Sequence, residues 1–272
     1  MSIFDSIQPN VGVAVREHPS QSLSIIRLPR NESLRIMPKS GMMNIFMALV
    51  ACEELSKVSI ERGKARRIFR DGISSDTPMY SSVGVQVSRL GGVLERSPRY
   101  ASLPDCHWKT IINMTRRAES ALESFADTNV LRQLSAAKET VNFMTLSAPN
   151  SHERVKYFGA LAFGRNVFLR CHTDDDFTLS VTQIYLRGRD VYAPTDEPVA
   201  FFCFPTRRVA IPMRPGDFLI FDATIPHSVS SRCHRSDDIM CVSFYLKSMV
   251  VGLNDNSIAL SSDQKKLLAF RP

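Results

Sequence analysis

Arg214-Pro215-Gly216-Asp217-Phe218-Leu219-Ile220-Phe221-Asp222, running on to Pro226-His227, reads as a turn, a strand and a histidine in succession. Pro-Gly-Asp is strong turn chemistry, and the apolar run behind it has the length of a buried strand. The same pattern extends on both sides. Tyr157–Phe163, Val167–Arg170, Thr178–Leu186, Val199–Phe204, Val209–Ile211 and Met240–Met249 are short apolar or alternating segments. Gly164-Arg165-Asn166, Gly188-Arg189-Asp190, Pro194 and Pro205 punctuate them. Short strands at this spacing predict a sandwich or barrel.

The first half reads differently. Residues 1–40 alternate and are broken by Pro29 and Pro38, as in short strands and turns. From Met42 the spacing of Ile45, Leu49, Cys52 and Leu55 predicts a helix, continuing through a basic run to about Gly72. Residues 73–104 read as irregular with short strands. A second helical stretch runs from Asp105, its acidic start, to about Phe143, with a break near Asp127-Thr128-Asn129. Trp108 is expected to anchor the core there. The fold class expected is α+β: a double-stranded β-helix, jelly-roll or cupin-like, buttressed by N-terminal helices. The chain is read as one catalytic unit over residues 1–272. Residues 1–148 are expected to be mainly helical, residues 149–250 to form the β-core and residues 251–272 to extend it.

Within the β-rich half lies Cys171-His172-Thr173-Asp174. On an extended strand residues two apart share a face, so His172 and Asp174 can grip one metal ion. A barrel folds back on itself, so His227 can close the set. Two imidazoles and one carboxylate on one side of an ion leave its other positions open, the arrangement that suits Fe(II) for oxygen chemistry. A lone His-x-Asp pair is a weak signal. Its place at a strand end, ahead of the Pro-Gly-Asp strand and Pro226-His227, makes it specific.

On these motifs, residues 150–250 resemble the Fe(II)/2-oxoglutarate dioxygenase superfamily, in which such a turn starts the strand that delivers the distal histidine. The resemblance implies a double-stranded β-helix, Fe(II) on His172, Asp174 and His227, O2 as substrate and 2-oxoglutarate as co-substrate. It also implies a cation for the far carboxylate of that acid, commonly an Arg opening the last core strand. That strand here, Asp237 to Lys247, opens without one. Arg232, Arg235, Lys247 and, from the strand after His-x-Asp, Arg187 or Arg189 stand as candidates. The stretch Phe218 to Leu246 is most similar to the TET/JBP-like nucleobase oxygenases, a branch that includes algal 5-methylcytosine-modifying enzymes using ascorbate. The implied function is oxidation of a modified base in DNA, 5-methylcytosine or thymine, with 2-oxoglutarate or ascorbate. Hydroxylation of a small molecule or protein side chain, and a non-catalytic cupin-like binding role, stay open beside it.

Other residues add candidates. Asp176, Gln183, Tyr185, Ser243 and Tyr245 are polar groups on or beside core strands and are expected to reach a substrate pocket. Arg62, Arg66 and Arg70 share a face at helical spacing and could meet phosphates. Lys plus Arg number 34 against 27 for Asp plus Glu, a net +7. That excess suits a polyanionic partner and decides little alone. The six cysteines form no Cys-x-x-Cys pair, which argues against a structural zinc site. No apolar leader precedes the first strands, and the longest apolar run is far short of the roughly 20 residues a membrane span needs. An intracellular protein is expected, nuclear if DNA is its substrate.

Overall fold

The computed structural model describes residues 105–126, 128–140, 146, 155–166, 168–177, 179–187, 198–230 and 238–248, with short strands upstream at 5–6, 13–15, 25–28, 68–69, 79–87 and 94–96. The upstream strands are β1 (Asp5–Ser6), β2 (Val13–Val15), β3 (Ile25–Leu28), β4 (Ile68–Phe69), β5 (Met79–Val87) and β6 (Leu94–Arg96). Helices α1 (Asp105–Phe125) and α2 (Thr128–Thr140) follow. The core strands are β7 (Ala160–Arg165), β8 (Phe168–Leu169), β9 (Leu179–Arg187), β10 (Ala200–Phe204), β11 (Val209–Met213), β12 (Phe218–Asp222), β13 (Ser228–Val229) and β14 (Asp238–Tyr245).

The core strands divide between two sheets as a double-stranded β-helix requires. The larger sheet has the order β2-β3-β12-β9-β14-β7-β5-β6, and the smaller one β1-β11-β10-β13. Apart from the β10-β11 hairpin, the chain from β7 onward passes from one sheet to the other at each step. β8 joins β13 through the bridge His172–His227, whose two backbone N–H···O bonds are each 2.9 Å. The faces that meet are carbon-rich. Phe168, Ile184, Val199, Phe202, Phe204, Ile211, Met213, Leu219, Phe221 and Ile239 form one buried cluster. Each such side chain contributes roughly 1.5–3 kcal/mol over its exposed state.

The Arg214–Asp217 turn folds as its chemistry dictates. Asp217 N–H donates to the Arg214 carbonyl at 3.0 Å, and Gly216 takes φ +89°. Pro at the second position and a left-handed Gly at the third make a type II turn. The Asp217 carboxylate accepts from Arg214 N–H at 3.0 Å, and Gly216 N–H donates to Ile184 on β9 at 2.8 Å. β12 is thereby held in register beside β9.

The first half of the chain adds strands to the sheets as well as helices. The break near Asp127 is real, since α1 ends at Phe125 and α2 starts at Thr128. Trp108, Ile111, Ile112, Ala118 and Leu122 on α1 are fully buried. The helix is fastened to the β-core by Glu119, which accepts backbone N–H groups of Lys156, Tyr157 and Phe158 at 2.9, 2.5 and 3.1 Å. One expectation is corrected. The helix expected from Met42 to about Gly72 does not include Ile68–Phe69, which pairs as a strand with Leu169–Phe168, and the rest of that stretch lies outside the described residues. Its β-branched and aromatic residues complete an edge beside β8, and that pairing overrides helical spacing. Arg62, Arg66 and Arg70 themselves lie outside the described residues, as do Arg232 and Arg235.

Gly84 on β5 has φ +105°, and a Cβ there would lie 2.4 Å from the Gly159 carbonyl oxygen. The two nearest atoms are backbone, the second being the Ala160 Cα at 2.8 Å, and backbone does not yield as the end of a flexible side chain would. Gly84→Ala is expected to destabilise the fold by about 3 kcal/mol or more, read as a shift in the urea midpoint. An unchanged midpoint would contradict this packing of β5 on β7.

Candidate metal centre

The strand bridge that closes the β-helix also builds the site. Pairing His172 with His227 sets their rings 4.4 Å apart, and Asp174 N–H, donating to Ala223 at 2.9 Å, brings the carboxylate to the same point. The Nε2 atoms of both histidines lie 3.6 Å from Asp174 Oδ2. One donor atom from each of the three residues falls within 4.8 Å of the others.

The imidazoles are preset for this. His172 Nδ1 is 2.7 Å from the Arg170 carbonyl, and His227 Nδ1 is 2.8 Å from that of Ile225. A carbonyl only accepts, so each Nδ1 carries the proton and each Nε2 lone pair faces Asp174. Such bonds to the far ring nitrogen fix tautomer and orientation in metal-binding histidines. Phe202 stacks on His227 at 5.5 Å with 13° between planes, and Phe221 meets it edge-on at 5.0 Å. The two imidazoles are 6% and 3% exposed and the Asp174 side chain 34%, so the site opens on the carboxylate side. Burial pushes the Asp174 carboxyl upward, but the His172 and His227 imidazoles beside it outweigh burial and hold it well below the usual carboxylate range. Two imidazole nitrogens and one carboxylate on one side of an ion form a donor set that fits Fe(II) with open positions.

The triad borders a cavity of about 110 Å³ inside the barrel. Alternation along β9 and β14 decides what lines it. Ser180, Thr182 and Ile184 face in from β9, and Ile239, Cys241, Ser243 and Tyr245 from β14. Thr182 Oγ1 and Ser243 Oγ share a hydrogen bond of 2.6 Å. Burial pushes the Cys241 thiol up to about 11, so it is a neutral wall and not a thiolate ligand.

Among the pocket candidates from sequence, Asp176, Ser243 and Tyr245 do line the cavity, as does Lys247. Asp176 is buried and bonded to Lys247 Nζ and to Ser180 Oγ, the latter at 3.1 Å. Burial raises its carboxyl above the ordinary range against the opposing charge of Lys247. Gln183 is corrected. It is fully buried but absent from the cavity wall, because the inward residues of β9 are the even-numbered ones. Tyr185 shares the register of Gln183, opposite Met240. Arg187 pairs with Asp238 at the far end of β9. Sequence reading missed Thr182, the inward polar neighbour of Gln183.

No helix among the described residues is long and apolar enough to cross a membrane.

No family model matches the sequence, and no curated protein matches it. Solved structures do match. NgTET1 in complex with 5mC DNA superposes with a TM-score of 0.59 at 12% identity, over 90% of this chain and 80% of that one. A 2OG-Fe(II) oxygenase family oxidoreductase from Burkholderia pseudomallei gives 0.44 at 14%, over 82% and 84%. A prolyl-4-hydroxylase from Pseudomonas putida gives 0.39 at 11%, over 82% and 92%. At 12% identity the likeness to NgTET1 is one of fold. The chain is a double-stranded β-helix with a His-Asp-His triad at one end of its cavity.

Proposed function

We propose that this protein is a non-haem Fe(II)-dependent oxygenase that uses 2-oxoglutarate as co-substrate and oxidises a modified base, 5-methylcytosine or thymine, in DNA. One observation carries the reading: a ring nitrogen from each of His172 and His227 and a carboxylate oxygen of Asp174 lie within 4.8 Å of one another at the edge of a cavity. Their donor chemistry fits Fe(II), which when bound supplies oxygen activation coupled to oxidation of a 2-oxo acid.

The chain's own residues do the rest. Arg170 and Ile225 carbonyls keep the imidazole lone pairs aimed inward. Phe202 and Phe221 pack around His227 and keep water off that side of the triad. Asp174, the most open of the three, borders the side from which substrate enters. The cavity lies inside the barrel, so a base must leave the duplex stack to reach it.

Two facts support DNA as the polymer: the fold likeness to NgTET1, whose structure holds 5mC DNA, and the excess of seven positive charges. Ascorbate in place of 2-oxoglutarate is tested in the same assay. A duplex oligonucleotide carrying 5-methylcytosine is incubated with Fe(II), O2 and either acid, then digested and analysed by mass spectrometry. An oxidised base is expected with 2-oxoglutarate, and DNA affinity is expected to fall steeply with salt as counterions are released. Consumption of the acid with every base unaltered would move the substrate to a small molecule or protein side chain.

A further inference from the structure

Strand β10 ends at the level of the metal ligands. It pairs with β13 as Phe202 with Val229 and Cys203 with Ser228. Phe204 therefore falls level with His227, and their rings are 6.4 Å apart. Phe202 and Val229, on one side of that level, line the cavity. The short helical turn Pro205–Arg207 lies on the other side and leads back into β11. Arg208 directly precedes Val209, the residue paired with Phe204. The turn thus stands on the rim of the barrel at its metal end, beside His227.

The turn is held from below. Phe204 is fully buried in the core cluster, and β10 and β11 make five residue pairs, from Ala200–Met213 to Phe204–Val209. Pro205 fixes its own φ, and Arg208 N–H donates to the Pro205 carbonyl at 3.1 Å. Thr206 and Arg208 are exposed at the tip. Arg207 is half-buried and already engaged.

Arg208 occupies an unfavourable backbone position. With φ 55° and ψ 35° it is left-handed, just past a helical turn. Glycine is the usual residue there, because it has no Cβ to clash. Among the described residues one other residue that is not glycine has positive φ, Asn166. Asn166 has a local use, since its Oδ1 accepts the Ile239 N–H at 3.0 Å, and asparagine tolerates the conformation. The Arg208 guanidinium has no hydrogen bond or ion pair among the described residues. An exposed arginine standing where glycine fits better points to a ligand outside the chain.

Its chemistry selects an anion. The planar guanidinium fork matches two oxygens of a phosphate. The function proposed above brings phosphates to this rim: a base rotated out of the duplex enters the cavity, while the phosphates that flank it stay outside.

We propose that Arg208, at the tip of the β10–β11 turn with Thr206 beside it, is a phosphate contact that seats the DNA strand over the metal end of the barrel. The proposal rests on the DNA reading above.

The test measures binding of the full chain to a fluorescent duplex carrying 5-methylcytosine, by anisotropy across a salt series, with urea unfolding in parallel. Arg208→Gly is expected to keep or raise the urea midpoint, since glycine relaxes the left-handed position. It is expected to weaken duplex binding roughly 3–10-fold at low salt. The slope of log affinity against log salt is expected to become shallower by about 1. Arg208→Asn, which also tolerates the conformation, is expected to behave likewise and serves if the Gly variant folds poorly. Arg208→Lys, which retains the charge, is expected to keep the slope. Arg132→Gln, which removes an exposed charge on α2, is expected to leave affinity and slope unchanged. Wild-type affinity and slope in Arg208→Gly, or an equal loss in Arg132→Gln, overturns the proposal alone. Failure of the wild type to bind the duplex overturns the DNA reading and this proposal together.

Discussion

Asp174→Ala is expected to lower Fe(II) affinity by more than about 100-fold while circular dichroism and the urea midpoint stay near wild type. Loss of an outer-shell partner alone costs metal sites about 10–100-fold, and Asp174 is the one charged member of the triad. The fold should survive, because the segment is held by backbone bonds, Asp174 N–H to Ala223 and the paired His172–His227 bonds among them. The removed carboxylate also takes away the charge that two close imidazoles face at 3.6 Å. His172→Ala and His227→Ala should fail to bind metal in the same way. His227→Ala alone should also destabilise the fold, since it vacates a buried space between Phe202 and Phe221.

The second large effect lies away from the cavity. Glu119→Ala strips the acceptors from three backbone N–H groups, two of them buried. An unsatisfied buried donor costs about 1–3 kcal/mol, so a loss of about 3 kcal/mol or more is expected in chemical unfolding. Its pH dependence has a definite sign. Burial outweighs the three hydrogen bonds and raises the Glu119 carboxyl above its ordinary value. A raised folded value means that folding favours the protonated form, so this contribution is full below the unfolded value and is lost as pH rises through the folded one. The stability gap between wild type and Glu119→Ala should narrow from acid toward neutral pH. A gap that widens would show that the ionised form is the favoured one.

The meeting of His172, Asp174 and His227 was legible in sequence for a physical reason: its components are local. His-x-Asp depends on the two-residue period of a strand, and His227 follows a turn whose Pro, Gly and Asp each have a backbone task. The core strands were legible too, within a few residues at each end, except the two-residue β13, which is too short to show a pattern. What sequence hid was contact across distance and choice of face. β9 lies inside the larger sheet and is buried on both sides, with Gln183 and Val181 as buried as Thr182 and Ser180. Polar residues on both faces erase the alternation that would tell inward from outward, so Gln183 looked as good as Thr182. The Asp176–Lys247 pair and the Glu119 clamp join residues far apart in the chain, and neither leaves a local pattern. The strand at Ile68–Phe69 was read as helix because its short apolar pair fits either period until β8 is placed beside it.

The most direct test of the metal centre is an anaerobic Fe(II) titration of the full chain, beside Asp174→Ala. One ion is expected to bind per wild-type chain, with binding abolished in the variant and folding intact in both. Wild-type protein that binds no stoichiometric Fe(II), or a variant that binds it as tightly, would contradict the metal centre and the oxygenase reading built on it.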